Sequence, residues 1–142
     1  MSLESNKDYE VIEHTADIGI RVSGESIREI FCKAIHATVD LLSGGIKIEP
    51  VIEREFSTKE ENIKTAFVGI LEEVIYFFEK DLFLPSVCSI NIEKGFYEVF
   101  LKGDTVSLEK IKNGIEIKAV TYHQLEIQAV GDGFQASVIF DV

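Results

Sequence analysis

Two stretches of the chain repeat their apolar residues at helical spacing, and nearly everything around them alternates with a period of two. The first begins after Ser26, which forms a capping box with Glu29 three residues on. Ile27, Ile30, Phe31, Ala34, Ile35, Thr38, Leu41 and Leu42 then share one face, and Gly44-Gly45 supplies a left-handed stop. This predicts a helix over residues 27–43. The second opens on the Thr58/Glu61 pair, which has the same capping pattern, and carries Ile63, Ala66, Phe67, Ile70, Leu71, Val74, Ile75 and Phe78 to an end near Lys80. Each helix has one wide apolar stripe, so each should lie on one face of a sheet.

The strands supply that sheet. Tyr9–Glu13 alternates weakly, and Ile18, Ile20 and Val22 alternate clearly. Residues 46–57 alternate as well, but Pro50 confines them to an edge or divides them. Residues 87–93 and 96–102 flank a Lys94-Gly95 turn. Residues 115–121, 125–130 and 134–141 complete the set, with Gly131-Asp132-Gly133 turning the chain before the last. Residues 106–112 carry no clear period. The expected architecture is α+β: two helices packed on one face of a mainly antiparallel, curved β-sheet, in one domain spanning residues 1–142 with residues 1–8 as a flexible tail.

Composition narrows the function. Twenty-five acidic against fourteen basic residues leave a formal charge of -11, which repels phosphate backbones and argues against direct nucleic-acid binding. It favours cations, or a basic protein partner. Cys32 and Cys88 lie far apart with no CxxC pair, which reads as two buried thiols rather than a disulfide. No apolar run is long enough for a membrane span, and the N-terminal residues lack the features of a signal peptide, so the expected location is the cytoplasm.

The candidate site joins the two ends of the chain. Asp17 shares strand parity with Gly19 and Arg21, away from the apolar side. In the last strand Phe134, Ala136, Val138 and Phe140 share one parity and Asp141 has the other. Val142 follows with the terminal carboxylate. If the first and last long strands are neighbours, Asp17, Asp141 and that terminus converge, and carboxylates so close require a cation. Hard oxygen donors suit Ca²⁺, Mg²⁺ or Mn²⁺ better than Zn²⁺. The competing reading is that Asp17 caps a turn and Asp141 solvates a strand end. Lys118 follows inward-facing Ile115 and Ile117 at the opposite parity, which suits neutralising the acids, contacting phosphate, or simple solvation. His14 and His123 could be ligands or acid/base groups, but three dispersed histidines make no zinc motif. No phosphate loop, nucleophile elbow or HExxH is present, which favours a binding or accessory protein over an enzyme.

The segments His14-Thr15-Ala16-Asp17-Ile18-Gly19-Ile20, Ile117-Lys118-Ala119-Val120-Thr121-Tyr122-His123 and Val138-Ile139-Phe140-Asp141-Val142 resemble the archease family in this order, as does the helix entry from Gly24 to Phe31. The resemblance extends over essentially the whole chain. It implies an accessory protein of the RNA-splicing ligase that joins 2′,3′-cyclic-phosphate or 3′-phosphate ends to 5′-hydroxyl ends in tRNA maturation. Such a protein promotes guanylylation of the ligase and multiple turnover, and can widen its nucleotide use. The family's metal site maps onto Asp17, Asp141 and Val142, and its functionally important lysine onto Lys118. Ca²⁺ is the ion expected in a structure, with Mg²⁺ or Mn²⁺ serving in function. Gln124 departs from the pattern, since many relatives carry an acid there. Two further readings are a metal-dependent hydrolase, with His14 or His123 as its acid/base group, and a chaperone-like module that binds exposed protein segments.

Overall fold

The computed structural model describes residues 9–13 and 17–142, excluding the side chain of Glu13. Among the described residues two helices and seven strands follow one another: β1 (Tyr9–Glu13), β2 (Asp17–Gly24), α1 (Ile27–Ser43), β3 (Ile52–Lys59), α2 (Ile63–Asp81), β4 (Phe83–Glu93), β5 (Phe96–Thr105), β6 (Ala119–Val130) and β7 (Gly133–Asp141). Every strand pairing is antiparallel, and the strands divide into two sheets, β1-β2-β7-β6 and β3-β5-β4. Both helices touch both sheets: α1 packs on β2, β7, β1 and β4, and α2 on β6, β4 and β3.

Local chemistry sets the boundaries. The Ser26 hydroxyl accepts a hydrogen bond from the Glu29 amide at 3.1 Å, and Gly44 ends α1 at φ 74° with its N–H on the Asp40 carbonyl. The second capping box does not form. Thr58 is drawn into β3 opposite Tyr97, and Asn62 caps α2 instead, accepting from the Lys64 amide at 2.8 Å. Residues 46–51 stay outside the sheet, so β3 begins only after Pro50 and Val51. The unpatterned region holds a 3₁₀ turn at Leu108–Lys110. Lys94 and Gly95 both take positive φ, as a two-residue hairpin turn requires.

α1 does not have a single apolar stripe. Held between both sheets and α2, it also buries His36, Thr38 and Ser43. Phe31 lies at the centre of the core, edge-on to Phe67 at 5.1 Å and stacked on Tyr97 at 5.7 Å.

The cysteines correct the reading of two free thiols. Cys32 of α1 and Cys88 of β4 form a disulfide across a Cα–Cα distance of 5.6 Å. They are 56 residues apart in sequence, and only the packing of α1 on β4 brings them together.

Candidate functional site

β2 and β7 are neighbours, and their register places Asp17 directly opposite Asp141. Both lie on the terminal rung of this pairing and are partly solvent-exposed. Cross-strand partners have Cβ atoms about 4.5–5.5 Å apart, and like charges so placed destabilise a sheet. Among the described residues no salt bridge compensates either carboxylate. No group of three His, Cys, Asp or Glu side chains with metal-binding geometry occurs among them either. Two side-chain carboxylates are therefore brought together, and the adjacent half-buried Val142 carries further main-chain oxygens. Oxygen donors of this kind, with no salt bridge to either among the described residues, have the chemistry that suits a hard divalent cation.

β6 completes the rung from the other side of β7. Ala119 is the register partner of Asp141, and the Lys118 amide donates to the Asp141 carbonyl at 2.7 Å. The Lys118 main chain thus anchors the end of β7. Its side chain forms no salt bridge with either acid; the residue is exposed and lines a cleft of about 400 Å³ between Ile117–Val120 and α2. Neutralisation of the acids by a direct Lys118 ion pair is therefore not the arrangement found.

On the outer side of the same sheet, Arg21 extends from the parity row of Asp17. Its guanidinium donates to Ser137 Oγ at 3.4 Å and to Glu10 at 3.1 Å. Further along β6, the register with β7 breaks between Thr121 and Glu126, and Gln124 adopts φ 55°. His123 is exposed in that irregular stretch, while His14 lies outside the described residues. The sequence reading missed the other wall of the Lys118 cleft, formed by Glu72, Glu73, Tyr76 and Glu79 of α2. The i, i+4, i+7 spacing of Glu72, Tyr76 and Glu79 was visible, but a polar helix face ordinarily meets only water.

These features define a class: an α+β protein of two helices and two antiparallel sheets, with an acidic pair where its second and last strands meet. Residues 9–142 match the model of the Archease protein family (MTH1598/TM1083), and the chain belongs to that family. It is 34% identical over 141 residues to the protein archease of Methanosarcina barkeri, covering 96% of this chain and 97% of that one. It is 31% identical over 140 residues to the protein archease of Pyrobaculum neutrophilum, covering 95% of each. Among solved structures, protein 1598 of Methanobacterium thermoautotrophicum shares the fold at a TM-score of 0.78 and 22% identity, covering 96% of this chain and all of that one. An archease from Thermotoga maritima, described as a "possible chaperone", superposes at 0.60 with 29% identity, over 97% of this chain and 100% of that one. No helix among the described residues is long and apolar enough to cross a membrane.

Proposed function

We propose that this protein is an accessory factor of an RNA-splicing ligase of the 3′-phosphate/5′-hydroxyl type, acting in the cytoplasm, and that Asp17, Asp141 and main-chain oxygen of Val142 hold one divalent ion for it. The observation that carries the reading is the direct opposition of Asp17 and Asp141, with no basic side chain among the described residues paired to either. Two carboxylates on one rung are costly unless a cation joins them, so this end of the sheet favours cation binding. Ca²⁺, Mg²⁺ and Mn²⁺ all suit such donors, and an ion of this kind neutralises phosphate charge during nucleotide activation.

The rest of the chain acts around that pair. The main-chain bond from Lys118 to Asp141 fixes the end of β7, and the exposed Lys118 is open to phosphate or partner contact. The formal charge of -11 keeps RNA at a distance while attracting a basic protein that carries RNA itself. The expected role is promotion of ligase guanylylation and turnover, not catalysis by this chain.

The test is ligation of one RNA bearing a 2′,3′-cyclic-phosphate end, at limiting ligase and limiting divalent metal. The parent protein should raise turnover, and Asp17→Ala or Asp141→Ala should abolish that gain with the fold intact. Full stimulation by both variants would refute the role of the pair. RNA or nucleotide hydrolysis by the isolated protein would instead favour a metal-dependent hydrolase. The relative described as a "possible chaperone" supports one competing reading, in which exposed apolar residues such as Val51 and Leu108 contact partners and both aspartates are dispensable.

A further inference from the structure

α2 carries a glycine in its interior that no described neighbour requires. Gly69 lies on the solvent side of the helix, and a Cβ there would meet no atom within 4 Å among the described residues outside the helix's own backbone. Glycine at such a position costs helix stability relative to alanine. A helix keeps one where something approaches too closely for a side chain. Nothing described in this chain does so, which leaves an outside occupant.

Gly69 opens onto the cleft of about 400 Å³, where Glu72, Glu73, Tyr76 and Glu79 continue the α2 wall opposite Ile117–Val120. A second cleft of about 270 Å³ shares Ile75, Glu79 and Ile117 with the first, and adds the apolar Phe78, Leu108, Ile111 and Ile115. Leu108 is 62% exposed there. The two form one groove that follows α2 from Gly69 to Glu79, roughly 15 Å of helix axis.

Charge and hydrogen bonding select the occupant. Glu72, Glu73 and Glu79 make no salt bridge among the described residues. Against them stand Lys118 in the cleft and Lys80, whose ammonium is 5.8 Å from the Tyr76 ring centroid. An acidic segment or a nucleic-acid backbone is repelled here, and a second copy would bring the same glutamates and the same formal charge of -11. An extended chain finds no open strand edge, because Ala119 and Thr121 are registered with Asp141 and Ile139 of β7, and Val120 is only 6% exposed. A helix satisfies its own backbone and needs only side-chain contacts.

We propose that this groove docks a basic amphipathic helix of a protein partner, which crosses α2 in close approach at Gly69. Its apolar residues enter the end lined by Phe78, Leu108 and Ile111, and its arginines or lysines reach Glu72, Glu73 and Glu79. Ala119 lines the groove and is the register partner of Asp141, so the docked helix lies beside the acidic pair. The partner's identity rests on the accessory-factor reading, and the docking mode on the groove and Gly69 alone.

The test titrates the full-length protein with a helical peptide of about four turns carrying leucine and arginine on one face. Its glutamate-for-arginine counterpart and a scrambled arginine peptide of the same composition serve as controls, and only the first peptide should bind. Gly69→Leu should lower its affinity about tenfold or more, as should Glu72→Gln, Glu73→Gln and Glu79→Gln combined, while divalent-metal affinity stays unchanged. Should either variant fail to fold, Gly69→Ala carries the test: it should raise the thermal midpoint and yet weaken peptide binding, which a merely unoptimised helix would not do. No binding of the first peptide, equal binding of either control, or full affinity in either variant would overturn the dock. Self-association of the parent that Gly69→Leu abolishes would assign the groove to a second copy and overturn it as well. Ligase stimulated equally by the parent and both variants would overturn the dock and leave the accessory reading standing. Peptide binding that both variants lose, with no ligase stimulation by the parent, would sink the accessory reading and support the dock.

Discussion

Asp17 and Asp141 occupy one rung of the β2–β7 pairing, so two carboxylates from opposite ends of the chain share the end of a sheet. In the absence of divalent ions this rung should be a weak point. Asp17→Asn or Asp141→Asn should then raise stability by about 0.2–1 kcal/mol, the range for cross-strand pairs. Added Ca²⁺ or Mg²⁺ should stabilise the parent and neither variant. Thermal scans with chelator and with each metal measure both effects, and a parent that gains nothing from any divalent ion would exclude a cation site there.

Lys118 separates its two roles by atom. Its amide anchors Asp141, whereas its side chain forms no salt bridge among the described residues. Lys118→Ala should therefore change stability by less than about 0.5 kcal/mol, as for ordinary surface substitutions, yet lower ligase stimulation. Denaturant unfolding alongside the ligation assay checks this, and unchanged stimulation at every salt and metal concentration would make Lys118 a solvated surface residue.

His36 is 2% exposed, and neither of its ring nitrogens has a hydrogen-bond partner among the described residues. Burial holds its pKa at about 3, against 6.5 for the free side chain. The unfolded chain therefore binds a proton that the folded chain refuses between these values. This contribution to stability is fully present above pH 6.5 and is lost as pH falls below it, with a slope approaching about 1.4 kcal/mol per pH unit. Unfolding curves between pH 7 and pH 5 should show the loss, and His36→Leu should flatten it. A slope that survives the substitution would assign the acid sensitivity to other groups.

The Cys32–Cys88 bridge closes a long loop, since its ends are 56 residues apart. Loop-closure entropy puts its stabilisation at about 4 kcal/mol. Oxidised protein unfolded without reductant should show no thiol reactive to alkylation. Cys32→Ser with Cys88→Ser should lower the denaturant midpoint substantially, and reduction should shift the parent toward the double variant. Two reactive thiols before reduction would show that the pair is unbridged.

Most of the local structure was legible in the residues themselves. Ser26, Glu29 and Gly44 specify the ends of α1 because a hydroxyl, an amide and a glycine in the left-handed region satisfy backbone groups within a few residues. Lys94-Gly95 and Gly131-Asp132 mark their hairpins by the same short-range chemistry. The parity of Asp17 and Asp141 followed from the period of a strand. Local signals competed at the start of α2, where Thr58 and Glu61 matched a capping pattern but pairing with β5 claimed Thr58.

Tertiary structure decided what depends on which elements meet. Strand order made Asp17 and Asp141 neighbours, left β6 at the end of its sheet, and set Lys118 beside the cleft against α2. It also split the strands between two sheets, buried His36 on a helix packed from several directions, and brought Cys32 to Cys88. A sequence carries the period of each strand and helix because that period is set by the backbone within a few residues. Which strands pair, and which helix face meets water, is fixed only when the separate apolar faces are buried together, since that burial is a property of the assembled core.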